Sequence, residues 1–501
     1  MTTANPEVST PAAAPEARSG LDPWRIAELP APPMPRGLAW MGVVGPGVIV
    51  LGVSIGSGEF LLGPAAFVRY GLTLLWVAGV AVLLQTILNT ELVRYTMATG
   101  EPAFTGFMRT RPNSTFWAAL YALLYFLQVG WPAWAGTAAG AVYFLAYRQL
   151  PTTAEREIVY WIGVGGLLAC AGILLIGRRI ERTLEILNWV MVGFLLAGML
   201  AFALLYVSPA TWWAGVTGFF AWDPATRRFL FLPEGADFFL LAAFAAYSGA
   251  GGVANLTLSN WVRDKGYGMG GVAGYIPALV GGSRMNLAHT GFTFTPNAES
   301  MSRWRGWWRI VRVDQWGIFF VGALLGMALP ALLYVSFIEP GVDIRGPGAA
   351  AALAGAVELR AGAFAGLLIA VMGAWILFKS QLDIIDGMTR AITDILWTGS
   401  RRIRAWRGGD VRVVYYGVLI CGVAWGAIAL RLAQPFVLLQ LGANMAGIIL
   451  VIASLHILYV NTRLLPPALR PPLWRRLALV ANAAFYGAFV ILWLNSLIGT
   501  L

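Results

Sequence analysis

An all-α polytopic membrane protein is the fold class that the sequence predicts, and three observations carry that prediction. Apolar residues make up 58% of the 501-residue chain and charged residues only 12%, about half the share of an ordinary soluble domain. Apolar runs long enough to cross a bilayer as helices, of about twenty residues each, recur about eleven times. The arginines fall mainly in the short connections between those runs, so the formal charge of +11 sets orientation in a membrane and leaves nucleic acid without a binding face.

The runs lie approximately at 41–69, 72–98, 115–147, 157–177, 184–207, 236–262, 313–337, 360–385, 412–431, 435–460 and 474–498. A twelfth helix is the alternative reading of 266–290, which is partly apolar. The segment 1–36 is rich in Pro and Ala and lacks the apolar core of a signal peptide, so it reads as a disordered tail on the cytoplasmic side. Residues 37–501 form the transmembrane domain. The connections after the second, fourth, sixth, eighth and tenth runs carry the arginine clusters, Arg401, Arg402, Arg404 and Arg407 among them. That bias places the N-terminus in the cytoplasm and the C-terminus outside, as in a bacterial inner membrane. Within the 263–312 connection, Trp304, Trp307 and Trp308 alternate with Arg303, Arg305 and Arg309, a composition suited to an interfacial segment in contact with anionic lipid.

Other chemistry is poorly represented. Cys170 and Cys421 both sit in apolar runs, and His289 and His456 are far apart, so neither a disulfide framework nor a Cys or His metal cluster is spelled out. No nucleophile elbow, phosphate loop or metalloprotease motif occurs, and an enzyme is not expected.

The informative stretch is Gly45 to Pro64. It starts as a membrane helix and meets Gly56-Ser57-Gly58-Glu59 midway. Glycines weaken a helix and a carboxylate in an apolar run is costly in lipid, so the pair predicts a broken helix facing a cavity. The alternative is a glycine packing seam with Glu59 near an interface. The sixth run repeats the pattern at Tyr247-Ser248-Gly249-Ala250-Gly251-Gly252-Val253-Ala254-Asn255. Two interrupted helices five runs apart predict an inverted repeat, about 41–207 and 236–460 with an extra helix at 474–498, and a solute between the two breaks.

Further motifs carry a family resemblance. Gly45-Pro46-Gly47, Leu75-Trp76-Val77, Leu83-Leu84-Gln85, Arg94, Thr99-Gly100 and the connection Gly177-Arg178-Arg179-Ile180-Glu181-Arg182 resemble the corresponding parts of the Nramp metal transporters. That resemblance implies the LeuT-type five-plus-five inverted repeat with broken helices one and six, alternating access, and a divalent cation as solute. The site itself departs from the family. Where Nramp proteins have Asp-Pro-Gly-Asn, this chain has Gly56-Ser57-Gly58-Glu59, and where they have Met-Pro-His it has Gly252-Val253-Ala254 followed by Asn255. Gly130 and Ala133 stand where the family's third helix carries acidic residues linked to proton movement.

A rebuilt site of this kind offers oxygen ligands. Glu59 and Asn255 are the candidate metal contacts, with Gly56, Ser57, Gly58, Ser248, Gly251 and Gly252 around them and Ser54 as a further hydroxyl. Such a set suits a hard ion such as Mg²⁺ or Mn²⁺. Glu91, Asp383 and Asp386 are further acids, although Glu91 with Arg94 and Asp386 with Arg390 have the spacing of ordinary helix-face pairs. Gln440 and Asn444 punctuate the tenth run as pathway or helix-joining residues. An organic amine or amino-acid-like solute uses the same residues, with break amides for a carboxylate and Trp131, Trp134 and Tyr247 as walls. A receptor that binds without transporting is the third reading. No cofactor is expected, and proton coupling through Glu59 is left open.

Overall fold

In a bilayer core no water pairs with a peptide group, so each apolar run closes its own hydrogen bonds as a helix. The computed structural model describes residues 19–176, 179–282, 287–345 and 348–498, without the side chains of Ser57 and Arg407. The main helices are α1 (Pro46–Tyr70), α2 (Leu72–Thr99), α3 (Ser114–Tyr147), α4 (Thr153–Leu174), α5 (Ile180–Tyr206), α6 (Phe238–Tyr247) and α7 (Val253–Lys265). They continue with α8 (Ala298–Phe337), α9 (Ala363–Gly399), α10 (Val411–Ala429), α11 (Pro435–Arg463) and α12 (Leu473–Ile498). Ten of these are long and apolar enough to cross a membrane, and α6 with α7 forms the eleventh crossing in two halves. The expected number of crossings is therefore met. In 266–290 the described residues hold only the short helix Gly270–Ala273, so they contain no twelfth crossing.

Helix α1 is buried along its membrane window, as its apolar residues on every face require. Its glycines let neighbours approach. A Cβ on Gly52 would collide with Lys379 and Asn188, one on Gly56 with Ser380, and one on Gly58 with the Tyr247 carbonyl. Its N-terminal amides are held by Asp314 of α8, whose Oδ1 accepts from Gly45 and Gly47 at 3.0 Å each. Helix α9, 37 residues long, packs against both α1 and α3.

One expectation for the chain's start is corrected. Residues 19–36 are built into the fold: Arg25–Ile26 pairs in parallel with Phe292–Thr293, Leu29 is buried, and Trp307 donates to the Pro30 carbonyl at 2.8 Å. The proline content that suggested disorder instead keeps this strap extended while neighbouring side chains supply its partners. Trp304 and Trp307 face this strap and the bundle, and Arg305 and Arg309 remain exposed, so the aromatic half of the basic segment contacts protein. The remainder of the expected tail, 1–18, lies outside the described residues, as do Gly177 and Arg178 of the connection before α5.

The strap is anchored at Glu101, just past α2. Its carboxylate forms a 2.5 Å ion pair with Arg109 and accepts from Trp24 at 3.1 Å and from Tyr95 at 2.6 Å. Burial pushes the Glu101 carboxyl up, but Arg109 and these hydrogen bonds pull harder and hold it below the usual glutamate range. A lowered folded-state value means that the contribution to stability is complete above the ordinary glutamate range and is lost as pH falls through the folded value. Breaking a buried pair by removing one partner costs about 3–5 kcal/mol. Trypsin cleavage at Arg25 and Arg36 is accordingly expected to accelerate by more than about tenfold, the factor that ~1.4 kcal/mol represents, in Glu101→Gln at neutral pH, and in the wild type only on acidification.

Candidate functional site: the break in the sixth crossing

Between α6 and α7 the helix is open. Ser248 leaves helical geometry with ψ 91°, and Gly249, Gly251 and Gly252 follow with φ of 109°, 77° and 61°. Those values favour glycine strongly, so the residues that suggested a break are also the ones that permit it. The peptide groups that the break releases are collected by two glutamines. Gln85 of α2 donates through Nε2 to the carbonyls of Ser248 at 2.9 Å and Ala246 at 3.3 Å, and its Oε1 accepts from the Gly251 amide at 3.0 Å. Gln128 of α3 donates to the Gly251 carbonyl at 2.8 Å and accepts from the Val253 amide at 2.9 Å.

The two glutamines also set the polarity of the gap. The amides of Gly251 and Val253, at the N-terminal end of the half-helix α7, are taken by side-chain oxygens, which removes donors that a carboxylate solute would use. At the other side lies the C-terminal end of α6, the end of a helix that favours cations. Gly58 of α1 rests on the carbonyl of Tyr247 there.

Glu59 enters beside that end. The expected interruption of α1 takes a different form from the one in the sixth crossing: Gly56 and Ser57 are still α-helical, and Gly58–Leu62 forms a π turn inside a continuous helix. The physical reason is the close approach of Gly58 to Tyr247, which a widened turn accommodates without releasing peptide groups into the membrane. Glu59 is fully buried. Ser54 donates to its Oε1 at 2.5 Å, the Gly249 amide lies beside the carboxyl group, and Oε2 has no partner among the described residues.

The remaining candidates divide. Gly251 and Gly252 belong to the break, and Gly252 is packed against Gln128 and Ala446. The Ser248 hydroxyl is spent within α6, donating to the Phe244 carbonyl at 2.8 Å. Gly56 is a packing position against Ser380, and the Ser57 side chain lies outside the described residues. Asn255 donates to Asn89 of α2 at 2.8 Å and has no hydrogen bond to Glu59, though its Oδ1 is buried without a partner. Asn444 donates to the carbonyls of Gln440 and Phe239, joining α11 to the start of α6, and Gln440 Nε2 is unpaired. Trp134 is buried with its ring 6.0 Å from that of Tyr247 beside the break, and Trp134 Nε1 has no hydrogen-bond partner among the described residues. Trp131 instead packs with Phe126 and Trp425, away from this pair.

The other candidate acids are engaged elsewhere. Glu91 pairs with Arg94 at 2.8 Å and with Arg475 at 2.9 Å, and Asp386 pairs with Arg390 at 3.0 Å, as their spacings suggested. Asp383 pairs with Lys379 at 2.7 Å. Among the described residues no three His, Cys, Asp or Glu side chains converge as a metal cluster, so a cation at this site draws on Glu59 and peptide or amide oxygens. Gln85 and Gln128 are the functional positions missed by reading the sequence for ligands. Their signal was a carboxamide inside an apolar run, which in lipid needs a partner.

No protein-family model matches the chain, and neither does any curated protein. Solved structures do. The manganese transporter of Eremococcus coleocola, in complex with an aromatic bis-isothiourea substituted compound, is similar at 14% identity and a TM-score of 0.60, over 92% of this chain and 89% of that one. A mutant of the same transporter is similar at 15% identity with a TM-score of 0.61, over 92% and 89% of the two chains. This chain shares its fold with a manganese transporter. The fold that the Nramp resemblance implied, an all-α polytopic architecture, is thus borne out along almost the whole chain.

The glutamine bridges make a testable demand on stability. Replacing Gln128 by Leu orphans the Gly251 carbonyl and the Val253 amide, at about 1–3 kcal/mol for each buried group. Gln128→Leu is expected to lower the melting temperature in detergent clearly more than Gln440→Leu, whose lost Nε2 has no partner; equal losses would remove the bridging role.

Proposed function

We propose that this protein is an integral-membrane secondary carrier that works by alternating access and moves a divalent cation, a hard ion such as Mn²⁺ or Mg²⁺. The observation that carries the reading is the buried Glu59 oxygen without a partner, set against the C-terminal end of α6. A buried carboxylate oxygen left bare is costly, and a cation at this position supplies what it lacks. The carbonyls of Gly249 and Ala250, outside both half-helices, are oxygen ligands of the kind that hard ions take. Likeness to a manganese transporter supports a metal as the solute class, and the absence of a thioether or imidazole at the break favours Mg²⁺ or Mn²⁺ over softer ions.

The N-terminus lies in the cytoplasm and the C-terminus outside on this reading, following the arginine bias. A second reading has one specific observation behind it: the adjacent buried rings of Trp134 and Tyr247 beside the break suit an organic cation. An amino acid is less favoured than a simple amine, because Gln85 and Gln128 occupy break amides that would hold its carboxylate.

Uptake of Mn²⁺ and Mg²⁺ into proteoliposomes tests the proposal. The wild type is expected to carry at least one of them, and Glu59→Gln to lose about 10–100-fold in uptake, the equivalent of the ~1.5–3 kcal/mol of a charged contact. If neither ion moves and a small organic amine does, the second reading replaces the first.

A further inference from the structure

Of the chain's 35 basic residues only Lys265 and Lys379 are lysines. Lys379 lies deep in α9 and is fully buried, as is its ion-pair partner Asp383 one turn on. Its ammonium also donates to Asn188 Oδ1 of α5 at 2.6 Å, and Asn188 Nδ2 returns hydrogen bonds to the two Asp383 oxygens at 3.1 and 3.2 Å. The head group sits against Gly52 of α1, where no other residue would leave room for it, and the neighbouring Ser380 donates to the Gly52 carbonyl at 3.1 Å. Gly52 precedes Glu59 by seven positions, roughly 10 Å of helix rise. The triad thus joins three helices, one of which carries the solute-site carboxylate.

A structural tie between these helices does not need lysine. Four other buried carboxylates, Glu91, Glu101, Asp386 and Asp394, are paired with arginine, whereas Glu181 and Glu185 meet Lys265 at a partly exposed position. Arginine keeps its proton under all ordinary conditions, whereas a buried lysine can give it up. We propose that Lys379, with Asp383 and Asn188, is a proton-exchange site that couples proton movement to the conformational cycle, separate from the cation site at Glu59. In the exchange step the N–H bond pair stays on Nζ and the proton passes to an Asp383 oxygen and then to water admitted when α1 and α9 part. The amine later takes a proton back from water on the opposite side. This inference rests on the transporter reading.

The groups facing the triad are otherwise engaged. From α1 comes the Gly52 backbone, whose carbonyl accepts from Ser380. Asn188 faces it from α5, where Glu185 and Glu181 lie further along and face Lys265. Cys170 of α4 places its thiol against the Phe378 carbonyl, and α3 presents the Ala135 amide to Gln381. On α9 itself, Asp386 is held by Arg390 and by the Tyr415 hydroxyl of α10, and Arg390 reaches on to Asp264 of α7. Lys379 is left as the one ammonium in this set that is both buried and free of a second carboxylate.

The test uses proteoliposomes with a pH dye inside, an imposed membrane potential, and Mn²⁺ or Mg²⁺ as the added ion. In wild type, ion uptake is expected to be accompanied by proton movement and to depend on pH. Lys379→Arg is expected to retain Mn²⁺ binding but to lose the proton signal and flatten the pH profile. Lys379→Gln, which is shorter in demand for space, is expected to do the same and covers the case in which arginine does not fit beside Gly52. A proton signal and pH profile unchanged in either folded variant overturn the proposal while leaving the cation reading intact. If wild type moves neither ion, the cation reading fails, and proton movement under the potential alone decides this one: lost on substitution it stands, absent in wild type it falls.

Discussion

The constraint on which this structure depends is that peptide groups in a membrane must be paired, and the chain opens a helix there nonetheless. The five residues Ser248 to Gly252 release carbonyls and amides that the bilayer cannot hydrate. Gln85 and Gln128 take up the carbonyls of Ser248 and Gly251 and the Gly251 amide, together with the flanking Ala246 carbonyl and Val253 amide. Much of the surrounding packing follows. The glutamines fix α2 and α3 against the break, Gly58 lets α1 lie on the end of α6, and small residues at Gly442 and Ala446 let α11 close the other side. Both glutamines spend their oxygens on amides, and among the described residues Glu59 Oε2 has no partner.

The architecture was legible because bilayer thickness and backbone pairing leave few solutions, and apolar runs ending at arginines mark them well. Even the glycines of the sixth crossing announced their geometry, since positive φ and glycine go together. The first crossing was legible in position but not in form. Gly56-Ser57-Gly58-Glu59 has the composition of a break, and only the proximity of Tyr247 to Gly58 reveals a π turn and a packing seam. Sequence has no term for a contact between residues 189 positions apart. The same limit hid the partners of Asn255, read as a candidate ligand, and of Asn444, read as a pathway or helix-joining residue: Asn89 for the first and the Phe239 carbonyl for the second. The strap at 19–36 was misread for a related cause: its order comes from residues near 101, 292 and 307, none of which its own composition foreshadows.

Charge placement separates the candidate site from the rest of the interior. Buried ion pairs add little to stability compared with well-packed apolar side chains, yet this membrane domain contains several. Most tie helix to helix through arginine: α2 to α12 through Glu91 and Arg475, α7 to α9 through Arg263 with Asp394 and Arg390 with Asp264. Pairs of this kind hold a conformation while closed and hydrate readily once water enters, a combination that suits surfaces which must separate and rejoin. Glu59 stands apart from all of them, with the Ser54 hydroxyl and the Gly249 amide beside it and no basic partner among the described residues. Its charge is not consumed by the fold.

A π turn in place of a full break makes the two interrupted crossings unequal in what they present to the gap between them. An unwound α1 would offer peptide oxygens of its own and need further side chains to pair the rest. The π turn keeps its backbone hydrogen-bonded and contributes only the Glu59 side chain, and the widened turn also rotates the outer part of α1 by about one residue, 100°, relative to an unbroken α-helix. That outer part places Phe67 edge-on against Phe244 of α6, with ring centres 5.3 Å apart, directly above the break. Charge is therefore supplied by α1 and peptide oxygen by α6, with an aromatic contact binding the two. Any movement that separates α1 from α6 parts the Glu59 carboxylate from the end of α6 and undoes this aromatic contact in one step.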